Sequence, residues 1–179
     1  MYPWELLITY PAVNMAVNLV EGIKHLAKKN NFIGVVSLTR SLIEVTLVFV
    51  YECTSEKNIG FYEQFVKNGR LMRWSKNESR WVKIKDWELI GHFESVTGLK
   101  VRKTYDNCCN VLHFSKDQSK MLVSKNLKNP RKGLIELGVG VPKVPKEKYD
   151  KIIKFAEDCE EIMEKYLKAM IIEKKLRKV

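Results

Sequence analysis

The sequence predicts a mainly α-helical protein, an antiparallel bundle of four to five helices with a small β-hairpin before the C-terminal helix. Three observations lead there. Apolar residues recur at three- and four-residue intervals in residues 13–26 and again in residues 149–170. Residues 33–50 are apolar on nearly every side, as a helix at the centre of a bundle would be. Two short apolar runs, residues 121–123 and 134–141, flank a Lys-Asn-Pro-Arg-Lys-Gly turn, and that combination reads as a hairpin.

Each element follows from its own pattern. After Pro11, Val13, Ala16, Val17, Val20, Ile23 and Leu26 form one stripe while Glu21, Lys24 and Lys28 take other faces, and this amphipathic helix ends near residues 29–31. The next helix covers about residues 32–53; its many β-branched residues would also suit a strand, but its length favours a helix. Ser55 and Glu56 open a further helical stretch, with Phe61, Tyr62, Phe65, Val66 and Leu71 on one side, that runs to a polar break at residues 75–77. Trp81, Ile84, Trp87, Leu89, Ile90 and Phe93 mark a short helical segment reaching Gly98. Residues 103–114 form a compact helix with Tyr105, Cys108, Cys109, Val111 and Leu112. The hairpin follows at about residues 120–141, and Pro145 sits where a first helical turn accepts proline. The final helix carries the clearest stripe, including Tyr149, Ile152, Ala156, Cys159, Met163 and Met170.

At 179 residues and 20.9 kDa the chain suits a single domain with one sizeable core, taken as residues 1–179. Its 32 basic and 21 acidic residues leave a net charge of +11. Residues 1–50, 51–99 and 149–179 contribute +1 each (4 minus 3, 8 minus 7 and 8 minus 7), so residues 100–148, with 12 basic and 4 acidic groups, hold +8. Such a concentration predicts a positive patch that would take RNA or another polyanion in a salt-dependent way; the other reading is a lysine-rich solubilising surface. Residues 33–50 have the length of a membrane span, yet Arg40 and Glu44 at its middle would be costly at bilayer depth, so a core helix and no membrane are expected. With no basic leader ahead of an apolar run, the expected compartment is the cytoplasm.

No cofactor motif is recognisable. There is no phosphate loop, no glycine-rich dinucleotide turn, no nucleophile elbow and no zinc-protease helix, and Cys53, Cys108, Cys109 and Cys159 show no zinc-ligand spacing, so no cofactor and no metal are expected. The cysteines read as reduced, small hydrophobes. Candidate chemistry rests on Arg40, Glu44, Tyr105 and His113. Arg40 and Glu44 are four apart on one face of a helix that otherwise seeks burial, so they either form an internal polar site, with Arg40 offering a planar fork to a phosphate, or satisfy each other. His113 lies eight residues after Tyr105, about two helical turns, and Asp106 is nearly aligned with it. A histidine so placed could serve in acid-base chemistry, or simply cap a helix C-terminus, where the dipole favours a cation.

The order of these features resembles the HEPN superfamily. The resemblance is carried by Arg40-Ser-Leu-Ile-Glu44 on the second helix, by Tyr105-Asp-Asn-Cys-Cys-Asn-Val-Leu-His113-Phe-Ser115, by the hairpin, and by Val144-Pro-Lys-Glu-Lys-Tyr149 opening the last helix. It implies an antiparallel helical bundle that often dimerises, and in many members a metal-independent ribonuclease of toxin-antitoxin or antiviral defence systems; other members are inert binding modules. The family pattern sets an Arg ahead of the His with four to six residues between them. Here His113 matches the histidine, Asp106, Asn107 and Cys108 stand where the Arg would, and the arginine role falls to Arg40, with Glu44 or Tyr105 as orienting groups. The expected protein is therefore HEPN-like and RNA-associated, a homodimer if it follows that family, and either an endoribonuclease or a non-catalytic helical interaction module.

Overall fold

The computed structural model describes the backbone of residues 3–55, 59–112 and 144–176. Among the described residues the protein has six helices: α1 (Pro3–Lys28), α2 (Phe32–Thr54), α3 (Ile59–Asn68), α4 (Asp86–Thr97), α5 (Arg102–Leu112) and α6 (Lys146–Leu176). Strands β1 (Met72–Ser75) and β2 (Arg80–Lys83) lie between α3 and α4. The protein is mainly helical with a two-stranded antiparallel hairpin ahead of its C-terminal helix. That hairpin comes from residues 72–83, where the sequence reading has a polar break and the start of a helix; the expected hairpin at residues 120–141 lies outside the described residues.

Contacts divide the chain into two compact units. The first gathers Met1–Ala16, Glu44–Val101 and Glu161–Val179; the second gathers Val17–Ile43 and Arg102–Glu160. Helices α1, α2 and α6 each contribute a segment to both.

In the second unit, α1 turns into α2 over three residues. Asn30 takes a left-handed φ of 55°, the Asn31 amide donates to the Leu26 carbonyl, and the Asn31 side chain accepts the Gly34 amide at 2.9 Å, capping α2. The two helices then approach closely: a Cβ on Gly22 would come within 2.8 Å of Leu38, and one on Gly34 within 2.8 Å of Leu26. Val20, Ile23, Val35, Val36, Leu42 and Ala156 are buried here, and Phe32 meets Tyr149 edge to face with centroids 6.1 Å apart.

In the first unit the core is Phe49, Val50, Leu47, Phe61, Leu89, Phe93 and Val101. Helix α3 stops at Gly69, whose φ is 62° and whose amide bonds to the Phe65 carbonyl. The hairpin pairs Met72 with Lys83, Arg73 with Val82, Trp74 with Trp81 and Ser75 with Arg80, and the Ile84 amide continues the pairing to the Leu71 carbonyl. Helix α4 then begins with Glu88 accepting the Lys85 amide at 2.8 Å and ends at Gly98, φ 77°, bonded to the Glu94 carbonyl.

Two sequence expectations shift in detail, and one observation bears on a third. Helix α1 starts at Pro3 and passes through Pro11, which removes one backbone donor without ending the helix. Its buried stripe is Ala12, Ala16, Leu19, Val20, Ile23 and Ala27, so Val17 faces solvent at 45% exposure. Helix α2 has the length and hydropathy of a membrane span, and half of its most apolar window is buried inside the protein.

Candidate functional site

Of the four candidate residues, the structure brings two together. Arg40, half-buried on α2, sets its guanidinium carbon 5.7 Å from the centroid of the Tyr105 ring on α5, both in the second unit. Helical spacing explains the partner: Tyr105 and Cys108 are three apart, point to one face of α5 and are the buried residues of that helix. The ring's negative face attracts the planar cation, whose Nε is buried. Burial raises the Cys108 thiol to about 11, the neighbouring Cys109 adds to the rise, and Arg40 opposes it. Cys108 is thus a protonated thiol near neutral pH and no nucleophile.

Glu44 departs from its expected setting. It is exposed, because the turn of α2 that carries it places Ile43 and Leu42 inward and Glu44 outward. His113 lies outside the described residues, as does most of the 100–148 basic region. The described part of that region shows Arg102, Lys103, Lys146 and Lys148 exposed.

A cleft of about 710 Å³ in the second unit is lined in part by Lys24, Lys28, Asn30, Lys146, Tyr149 and Glu157. Of its cations, Lys24 reaches Glu157 at 3.5 Å and, outside the lining, Glu21 at 3.6 Å, and Asp150 also lines it. Among the described residues no group of His, Cys, Asp and Glu is arranged to hold a metal ion.

Three features of the first unit escape the sequence reading. Glu52, two residues beyond the window in which Arg40 and Glu44 stand out, is the fully buried acid of α2. Its Oε2 accepts the Thr9 hydroxyl at 3.1 Å and the Cys53 thiol at 3.7 Å, and its Oε1 accepts the Tyr62 hydroxyl at 3.2 Å. Donors from three helices compensate the desolvation of a carboxyl group, which makes this a structural centre.

His92 also has company that its sequence neighbours do not reveal. Its Nε2 lies 2.6 Å from the Thr54 hydroxyl, and its ring meets Tyr51 edge-on with centroids 5.1 Å apart. Thr54 already donates its one hydroxyl proton to the Val50 carbonyl at 2.7 Å, so His92 donates from Nε2. Burial lowers the pKa of His92, and burial raises that of Tyr51, where a Ser55 side-chain hydrogen bond and Arg73 pull the other way and Glu88 adds to the rise.

The third feature is the hairpin. Residues 67–85 carry seven basic groups (Lys67, Arg70, Arg73, Lys76, Arg80, Lys83 and Lys85) and one acidic group, Glu78. The sum over residues 51–99 hides this, because the rest of that stretch has one basic residue and six acidic ones. Counting charge in a window of 19 residues instead of 49 would have found it. All seven cations are exposed, and Trp74 stands among them at 49% exposure. Comparison with family models, curated proteins and solved structures finds no match for the chain.

Proposed function

We propose that this is a HEPN-like, RNA-associated helical protein whose affinity for the phosphate backbone comes from exposed cations. The observation that carries the reading is the hairpin stretch, +6 over residues 67–85 in a chain whose total is +11, joined by the +8 of residues 100–148. Cations at that density displace the counterions condensed on a nucleic acid, and the entropy of their release favours binding. The alternative of a merely solubilising surface predicts no steep salt dependence.

The finer form of the reading, a metal-independent endoribonuclease, follows from the HEPN resemblance and is supported by Arg40 lying on Tyr105. In that chemistry a ribose 2′-hydroxyl attacks the adjacent phosphorus. A new O–P bond forms, the bond to the 5′-oxygen breaks, and a 2′,3′-cyclic phosphate and a 5′-hydroxyl result. His113 would move the proton and Arg40 would meet the charge growing on the phosphate oxygens. The non-catalytic interaction module remains the competing reading, and a cleavage assay separates the two.

The test is fluorescence anisotropy with labelled RNA between about 50 and 200 mM salt. A Kd that rises steeply with salt is expected; a flat response or no binding removes the proposal. Cleavage in the presence of a chelator, lost in His113→Ala and in Arg40→Met, supports the ribonuclease form, and an uncut RNA bound by the wild-type protein leaves the binding module.

A further inference from the structure

Pleat alternation sorts the hairpin side chains into two faces. Met72, Trp74, Trp81 and Lys83 share one, and Arg73, Ser75, Arg80 and Val82 share the other. The second face is answered locally: Arg73 binds Glu88 of α4 at 2.8 Å and Arg80 binds Glu78. The first face is different. Trp74 and Trp81 are cross-strand partners in an edge-to-face contact, centroids 5.8 Å apart and planes at 74°. Trp81 is half-buried, so it anchors the pair; Trp74 leaves about half its surface in water. Lys83 shares this face, Lys76 follows Trp74 in the turn, and Lys67, Arg70 and Lys85 flank the strands in the chain; all five are exposed and have no ion pair among the described residues.

From this arrangement we infer that the Trp74 face of the hairpin binds unpaired bases of single-stranded RNA, with Trp74 as the stacking side chain and the flanking lysines and Arg70 meeting the phosphates. The inference rests on the RNA-binding reading and names the form of RNA. A base inside a duplex has both faces covered by its neighbours, whereas an unpaired base can leave the stack and lie on an indole. Phosphate contacts alone would not discriminate between the two forms. A partner surface of acidic protein would satisfy the cations but would offer no flat π-face to the ring, so nucleic acid fits both features at once.

The experiment compares an unstructured RNA of about 12 nucleotides with the duplex it forms with its complement, by anisotropy at one salt concentration. The single strand is expected to bind tighter, and Trp74→Ala to weaken it about tenfold while leaving duplex affinity and the salt slope unchanged. Trp74→Phe, which keeps a π-face and the cross-strand packing, should recover part of the loss, and Trp87→Ala, on the first turn of α4, should change nothing. Equal affinity for strand and duplex overturns the inference while the RNA-binding reading stands; so does a Trp74→Ala loss that falls equally on both forms. Loss of a dimer in Trp74→Ala by sedimentation, with RNA affinity intact, would assign the face to a second copy of the chain and overturn it too. If the wild-type protein binds neither form, the reading beneath it has failed.

Discussion

Helix α2 carries a polar side chain inward in each of the two units, and the two are treated differently. Glu52, in the first unit, is sealed from water and receives donors from α1, from α3 and from its own neighbour Cys53. Arg40, in the second unit, is half-buried and lies on the face of Tyr105 beside a thiol that stays protonated near neutral pH. A carboxyl group whose acceptor capacity is met by hydroxyls is locked into packing. The Arg40 guanidinium instead has an aromatic face among its contacts, with its Nε buried, and stays only partly withdrawn from water.

The sharpest way to break this contrast is to remove Glu52. Glu52→Ala strands the Thr9 and Tyr62 hydroxyls inside the core and leaves a cavity, so unfolding in urea should show a loss of about 3 kcal/mol, a folding constant changed roughly 150-fold. Glu52→Gln keeps acceptor oxygen and volume and should cost markedly less. If Glu52→Ala proves as stable as wild type, Glu52 is not the structural centre.

Next in size is the chemistry of Cys108. A thiol raised from 9 to about 11 has roughly a hundredfold less thiolate near neutral pH. Alkylation of the folded protein, followed by peptide mass spectrometry, should find Cys108 modified far more slowly than in denaturant. Rapid modification would mean that the Arg40 neighbourhood is open and its thiol ionised.

A smaller effect is expected for the Arg40 and Tyr105 pair. A double-mutant cycle with Arg40→Met and Tyr105→Leu should return a coupling of about 1 kcal/mol, the value of a partly desolvated cation on a ring. Zero coupling would show that the two side chains are neighbours without an energetic link.

The smallest is a pH slope in the first unit. His92 has its pKa lowered by burial, so the folded protein takes up that proton less readily than the unfolded chain. The associated stability is fully present above the ordinary value of 6.5 and is lost as pH falls through the lowered folded value. Melting curves between about pH 7 and 5 should therefore be flatter for His92→Gln than for wild type.

The parts of the fold that were legible share one property, a long amphipathic or wholly apolar repeat. Helix α6 and the later part of α1 announce themselves by spacing, and α2 by length. The hairpin was hidden by a coincidence of spacing: Trp81, Ile84, Trp87 and Ile90 fall three apart and imitate a helical stripe, while the strands themselves are only four residues each. The alternation of Met72 and Trp74 with Arg73 and Ser75 is too short to outweigh it. At the candidate site, Arg40 and Tyr105 were legible as residue types, but Glu44 was expected inward because it lies in an apolar helix, and one helical position rotates it into solvent.

By itself the sequence determined that this protein is helical, where its longest helices run and how much positive charge it carries, because periodicity and composition are local quantities. Only the tertiary structure decided which polar groups are spent on packing and which are offered to water. Glu52 with Thr9 and Tyr62, His92 with Thr54, and Trp74 on Trp81 are pairings between residues 7 to 43 positions apart. Whether a buried group finds its partner across such distances depends on how the helices and strands meet, and no window on the chain contains that information.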